Sequence, residues 1–255
     1  MSLKVSIITS CYNRKSTISQ AIESVLEQDY PNIEYIIIDG ASTDNSLDII
    51  NQYKEKITKI ISEPDNGMYE AINKGLQIAT GDIIGLVHSD DFLFSKDTIS
   101  KIVMAFEKTN ADFIYGNGLF VDYYNTNKII RNWIGGKYSK WKVRHGWLPL
   151  HPTCYIKKGC IEKLGNYDES YKIAADSDFL VRYLYEANLK VFYLKEYIIR
   201  MRMGGLSTDK KRRKLMWKED IRMYKNHGFN PTLTKIQKMM WKLPQFITAK
   251  LKISL

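Results

Sequence analysis

The first hundred residues alternate between two hydrophobic rhythms. Residues 4–9 are alternating and β-branched, which reads as a strand, whereas residues 17–27 set Ile18, Ala21, Ile22, Val25 and Leu26 on one helical stripe. The pair then repeats. Residues 33–38 form a continuous apolar run broken by Asp39-Gly40, and Ser42 or Thr43 stands where a cap is expected for a helix carrying Leu47, Ile49, Ile50 and Tyr53. Residues 57–62, 68–79, 82–88 and 98–109 read as strand, helix, strand and helix. This alternation predicts an α/β fold with a mostly parallel, doubly wound sheet flanked by helices.

After Ala111 the rhythm changes. Residues 112–116 read as a strand, 119–133 as a hairpin, 176–187 as a helix and 190–194 as a strand; a loop follows around Gly204-Gly205, then basic helices from about residue 208. Gly116-Asn117-Gly118 resembles the opening of a dinucleotide fingerprint, but Val121 holds the third glycine position and no helix follows, so it reads as a turn. The chain has no Walker-type lysine loop and no serine-hydrolase nucleophile elbow. Its histidines, His88, His145, His151 and His227, lack the paired spacing of a zinc enzyme.

Composition sets the compartment and the partners. A chain of 255 residues that is 44% apolar has enough material for a large core. No apolar run approaches the roughly 20 residues of a membrane-spanning helix, and a strand begins almost at the N-terminus, so the expected location is cytoplasmic. Cys11, Cys154 and Cys160 are odd in number and lack metal-ligand spacing, which suits inert thiols in a reducing compartment. The formal charge of +10 concentrates in Lys210-Lys211-Arg212-Arg213-Lys214 and beyond. Nucleic acid, an anionic membrane and a phosphorylated ligand all fit such a run, as does a solvated helix face.

The strand of residues 82–88 leads directly into Asp90-Asp91. Carboxylates at the carboxyl end of a buried strand reach the crevice where open α/β sheets bind ligands, and a divalent cation would offset their repulsion. Taken alone, Ser89-Asp90-Asp91 reads equally as turn chemistry. The order of the other signals changes the picture. Val5-Ser6-Ile7-Ile8-Thr9-Ser10-Cys11-Tyr12-Asn13-Arg14, Ile36-Ile37-Ile38-Asp39-Gly40-Ala41-Ser42-Thr43-Asp44, Asp65-Asn66-Gly67, Ser89-Asp90-Asp91 and Ala175-Asp176-Ser177-Asp178 all close strands or open helices. Together they resemble the family 2 glycosyltransferases of the GT-A fold, over about residues 5–207. The resemblance implies a Rossmann-like, mostly parallel mixed sheet in a catalytic domain of residues 1–207. Its nucleotide-binding half would span about 1–110 and its acceptor-binding half about 111–207, with a basic helical extension over 208–255.

The same resemblance implies roles. Thr9, through its backbone, and Tyr12 would lie beside the nucleotide, although Tyr12 also reads as edge packing. Asp39 would accept a ring N–H of the base, which suits uracil, thymine or guanine but not neutral cytosine or adenine. Asp65 and Lys74 fall near the nucleotide sugar, with Lys74 open to a second reading as a solvated helical residue. Asp91 would be the ligand of Mn²⁺ or Mg²⁺, and Asp90 would hold the ribose or the metal's water shell. His88 stands where the family's motif often has its first aspartate, a departure that leaves its role open. Asp176 matches the general base, with Ala175 in place of the usual preceding glutamate and Asp178 as a rival carboxylate better suited to structure. One base opposite one leaving group implies a single displacement and inversion at the anomeric carbon.

On the acceptor side, Trp147 can stack on a sugar or sit in the core, and His151 can bond acceptor or phosphate or be structural. Arg202, Gly204, Gly205 and Ser207 resemble a loop that closes over the diphosphate. The tail mixes lysines with Trp217, Met239, Met240, Trp241, Leu243 and Phe246, which suits an anionic membrane interface near a lipid-linked acceptor; packing on the catalytic domain or on a second subunit is the equal rival. The expected partners are therefore a nucleotide sugar, most naturally a UDP-sugar, and a saccharide or lipid-linked saccharide for surface polysaccharide, not nucleic acid. Two other classes remain. A nucleotidyltransferase would need a glycine-rich triphosphate loop, and residues 9–15 contain no glycine; a non-catalytic basic binding protein would leave Asp39, Asp91 and Asp176 together unexplained.

Overall fold

Strand β1 (Val5–Cys11) is buried along its whole length and forms the centre of the N-terminal half of the sheet. It pairs in parallel with β2 (Ile33–Asp39) on one side and β4 (Ile83–Leu86) on the other, and β2 pairs in parallel with β3 (Lys59–Ser62). Between them run α1 (Ile18–Leu26), α2 (Ser46–Asn51) and α3 (Met68–Ile78). The structure is a computed structural model that describes residues 2–204 and 212–248.

Beyond β4 come β5 (Phe92–Leu93), α4 (Thr98–Thr109), β6 (Phe113–Val121), β7 (Ile129–Trp133), α5 (Lys140–Arg144), β8 (Cys154–Lys157) and α6 (Lys158–Leu164). Helix α7 (Ala175–Val181) widens into a π turn over Arg182–Glu186, and β9 (Val191–Arg202) is followed by α8 (Arg213–Asn226), α9 (Pro231–Met240) and α10 (Leu243–Thr248). The strands join in one 9-stranded sheet of order β3-β2-β1-β4-β8-β6-β9-β5, with β7 on β6. Strands β1–β4, β6 and β9 run one way; β5, β7 and β8 run the other. The chain crosses from β3 over β2 and β1 to reach β4, which places the reversal of strand order between β1 and β4.

Side-chain alternation along the strands feeds a core on each face. Ile7, Tyr35, Ile37 and Ile114 pack with Ile18 and Ile22 of α1 and with Ile102 and Phe106 of α4. Ile8, Ile36, Ile38 and Phe113 pack on the other face with Ile72 of α3, Phe179 of α7, and Met223 and Tyr224 of α8. The basic C-terminal helices are therefore built into the same core as the N-terminal strands.

Three sequence readings are corrected. Gly116-Asn117-Gly118 is not a turn but the middle of β6, because glycine there lets β9 approach: a Cβ at Gly116 would lie 2.8 Å from the Glu196 carbonyl. The strand expected to end at residue 194 continues to Arg202, paired with β6 and β5. Ser42 and Thr43 do not cap α2, which begins at Ser46 after Asn45 in a left-handed conformation.

Candidate active site

The crevice is built from the carboxyl ends of β1, β2 and β4. Thr9 is fully buried, and its hydroxyl donates to the Val87 carbonyl at 2.7 Å, tying β1 to the turn after β4. Tyr12, just past the strand, is 59% exposed. Asp39 ends β2 with no exposed surface; its Oδ2 accepts the Ser42 N–H (3.0 Å) and the Ser62 hydroxyl (2.7 Å), and its Oδ1 accepts the Ser42 hydroxyl (2.5 Å). A carboxylate has about four acceptor positions, so Oδ1 keeps room for one further donor. Asn13 accepts the Thr43 N–H at 2.8 Å and donates its own N–H to Ser42 at 2.9 Å, and the Arg14 N–H bonds Ser46 at 2.7 Å. These bonds lace the loop after β1 to the loop after β2 and leave little for the crevice floor to reorganise.

Asp65 meets the same floor. A Cβ on Gly40 would lie 2.5 Å from Asp65 Oδ2, so only glycine fits at that crossing. Asp65 Oδ1 accepts the Gly67 N–H at 2.8 Å, and burial raises its carboxyl above the ordinary value. Lys74 is not a free solvated lysine. It pairs with Glu63 at 2.9 Å and Glu70 at 3.0 Å, and these bonds hold its ammonium above the usual range.

Beyond β4 the chain turns tightly, with the Asp91 N–H donating to the His88 carbonyl at 2.9 Å. Asp91 is buried; burial and then the neighbouring Asp90 push its carboxyl well above the carboxylate range, against the pull of Arg202. Its Oδ1 accepts the Arg202 N–H at 3.1 Å, while Oδ2 takes no hydrogen bond among the described residues. Arg14 lies 3.8 Å from Asp90. No group of three or more His, Cys, Asp or Glu side chains among the described residues is arranged to hold a metal ion by itself. The buried Asp91 carboxyl, with one oxygen free of hydrogen bonds among the described residues and Asp90 beside it, would suit a hard divalent cation such as Mg²⁺ or Mn²⁺.

Asp176 lies in the first turn of α7. Its Oδ1 accepts the Ser177 N–H at 2.6 Å, and its own N–H reaches the Tyr69 hydroxyl at 3.4 Å. Burial raises its carboxyl while Lys238 draws it down, the balance expected of a proton acceptor. Asp178 has different surroundings: Arg182 at 3.0 Å and His227 at 2.8 Å outweigh its burial and hold it low. It is a structural carboxylate.

Of the residues expected to face an acceptor, Trp147 packs edge-on against Tyr115 at 5.7 Å and is buried, as a core tryptophan is. His151 bonds the Tyr167 hydroxyl at 2.7 Å and stacks 6.1 Å from His88; burial, then His88, lower its pKa to about 3, so it stays neutral. Arg202 is not part of a loop. It ends β9 with its guanidinium engaged by the Asp90 carbonyl (2.7 Å), the Tyr123 carbonyl (3.3 Å) and Gln20, so it pins the Asp90-Asp91 turn. Gly204 follows at φ 111. Gly205 and Ser207 lie outside the described residues.

Residues 6–162 match the family described as Glycosyl transferase family 2, more than half of the chain. This chain belongs to glycosyltransferase family 2. It is 28% identical over 208 residues to a PGL/p-HBAD biosynthesis glycosyltransferase of Mycobacterium tuberculosis, covering 80% of this chain and 78% of that one. It is 30% identical over 180 residues to an uncharacterized glycosyltransferase of Mycobacterium tuberculosis, covering 70% and 68%. In three dimensions it is similar to S. aureus TarS: it spans 39% of the longer TarS chain, and 74% of the 1–349 form in complex with UDP-GlcNAc, there with a TM-score of 0.68 and 18% identity over 99% of this chain. The mannosyltransferase PcManGT from Pyrobaculum calidifontis, in complex with GDP-Man and Mn²⁺, gives a TM-score of 0.64 at 16% identity, covering 100% of this chain and 77% of that one. These likenesses establish the GT-A-type fold.

In this glycosyltransferase the sequence motifs locate the carboxylates but not what holds them. Glu219 of α8 accepts the N–H groups of Lys172, Ile173 and Ala174 at 2.9, 2.8 and 3.0 Å, fixing the segment that opens α7. Lys238 of α9 bonds Ser177 at 3.3 Å and Asp220 at 3.1 Å. Neither is signalled by local spacing, since each acts on a segment more than forty residues away. Tyr69 alone carried a hint, because it lies two residues after Asp65-Asn66-Gly67.

Proposed function

We propose that this chain is an inverting, metal-assisted glycosyltransferase that moves a hexosyl or N-acetylhexosaminyl group from a UDP-sugar to a hydroxyl of a saccharide or lipid-linked saccharide, in the synthesis of a surface polysaccharide. The observation that carries the reading is the segment from Asp65 to Tyr69, which touches both ends of the reaction. Asp65 presses on Gly40 beside the base-side carboxylate Asp39, and the Tyr69 hydroxyl reaches the Asp176 backbone while donating to the Ile173 carbonyl at 2.7 Å. In this reading the donor floor and the proton acceptor are held by one short piece of chain.

In this reading the spare position on Asp39 Oδ1 accepts the ring N–H of uracil, and Tyr12 offers its exposed ring to the base. Asp91, with Asp90, would hold Mg²⁺ or Mn²⁺, whose Lewis acidity neutralises charge on the departing diphosphate. Asp176 takes the proton of the acceptor hydroxyl as its oxygen bonds the anomeric carbon and the bond from that carbon to the diphosphate oxygen breaks. Attack and departure on opposite faces invert the configuration. UDP and UDP-GlcNAc in the TarS structures support the uridine donor.

A stripe on α9 and α10 supports attachment to an anionic membrane. Leu233, Ile236, Met240 and Leu243 are exposed at helical spacing, with Met239 and Phe246 beside them. No helix among the described residues is long and apolar enough to cross a membrane.

Calorimetric titration with UDP, GDP, dTDP and CDP, each with and without Mn²⁺, tests the donor side. Metal-dependent binding of UDP, lost in Asp91→Ala and kept in Asp176→Asn, is the expected result. Transfer from the matching sugar conjugate should then fall by about 10²–10⁴ in Asp176→Asn. Equal binding of UDP by Asp91→Ala, or full transfer by Asp176→Asn, would overturn the assignments.

A further inference from the structure

The reaction as drawn uses Asp39, Asp91 and Asp176 but gives no task to the cations of the C-terminal helices. One of them reaches the catalytic end of α7. Lys238 Nζ lies 3.3 Å from the Ser177 hydroxyl, one residue from Asp176, and 3.1 Å from Asp220 Oδ1. Its placement follows from close packing. Gly146, at φ 79, lets the α9 backbone rest on it: a Cβ there would lie 2.8 Å from the Lys238 nitrogen and 2.6 Å from the Thr234 carbonyl. Immediately after α9, the Trp241 indole donates to the His145 carbonyl at 2.9 Å, locking the helix on the same turn.

We propose that Lys238 is a positioning residue for the transfer: contributed by the C-terminal helix α9, it keeps the Asp176 carboxylate ionised and ready to accept the acceptor proton. The inference rests on Asp176 being the base. Asp176 is faced by Lys238 from α9, Asp220 and Tyr224 from α8, Tyr69 from α3, Tyr167 from the loop before α7 and Cys154 from β8. Among these Lys238 is the only cation. The tyrosines and the cysteine are themselves pushed up by burial and stay neutral near pH 7, so they do not oppose its charge.

Burial works against the Lys238 ammonium, but near pH 7 the carboxylates of Asp220 and Asp176 favour its charge. Asp220 is shared with Lys235, which leaves Lys238 with charge to direct at Asp176. A buried carboxyl with no such neighbour would remain protonated to higher pH and could not take the proton. The C-terminal extension is in this view a component of the catalytic centre, not only an attachment device.

Carbon-13 NMR of the full-length chain labelled at the aspartate carboxyl carbons tests this without any sugar donor. The Asp176 signal is the one missing from Asp176→Asn. Its titration midpoint should rise by about one pH unit in Lys238→Met and return in Lys238→Arg. Where Lys238→Met fails to give a cooperative melt, Lys238→Gln decides, with the same rise in the midpoint expected. An unmoved midpoint in the folded variant overturns the proposal. Full transfer by Asp176→Asn would remove the base assignment and this inference with it, whereas an inactive Asp176→Asn beside an unmoved midpoint in Lys238→Met sinks only the role of Lys238.

Discussion

Asp176 and Asp178 differ in their neighbours, not in their chemistry. The first has a cation near it but no ion pair within bonding distance, and burial raises it; the second is clamped between Arg182 and His227 and held low. His227 in turn bridges Asp178 and Glu186, at 2.8 and 2.6 Å. Burial disfavours its charged ring, but both carboxylates outweigh that and raise its pKa above the ordinary value. A raised folded pKa means that this contribution is complete below the unfolded value of about 6.5 and is lost as pH rises through the folded value. The contribution of this bridge to the melting temperature should therefore fall as pH rises above about 6.5, and His227→Gln should flatten that part of the curve. Parallel curves for the two proteins would show that the bridge contributes nothing.

At the scale of elements, α7 depends on a residue from another helix. Glu219 satisfies the N–H groups of three consecutive residues before α7, a task that a local cap usually performs. Glu219→Ala should lower unfolding stability by about 2–3 kcal/mol, measured by denaturant titration, because buried N–H groups lose a charged acceptor. A loss within error of zero would mean that water replaces it. This dependence also explains which elements were legible in the sequence. Helices α1, α3 and α4 could be read because their buried stripes repeat locally, as with Ile18, Ala21, Ile22 and Val25. Strands β5 and β8 were missed because they are short and exist through partners: Phe92 pairs with Arg200, and Ile84 with Ile156. Asp39, Asp91 and Asp176 were legible as ends of elements, whereas the engagement of Arg202, the burial of Trp147 and the reach of Lys238 are properties of distant packing.

For the molecule as a whole, the C-terminal helices have two faces. One carries Met223, Tyr224 and Lys238 into the catalytic core; the other exposes Leu233, Ile236, Met240 and Leu243. Deleting the tail would therefore confound attachment with catalysis, and substitutions on the outer stripe separate them. Met240→Glu with Leu243→Glu should abolish flotation with vesicles containing phosphatidylglycerol while leaving nucleotide binding unchanged. Equal flotation of both proteins would sink the membrane reading. The bond from Arg202 to the Asp90-Asp91 turn bears on a different matter, the order of synthesis. A ribosome delivers residues 90 and 91 long before residue 202. The turn after β4 must therefore wait, its two acidic residues unpinned, until β9 emerges and Arg202 ties them down, so the end of that strand is fixed late in synthesis.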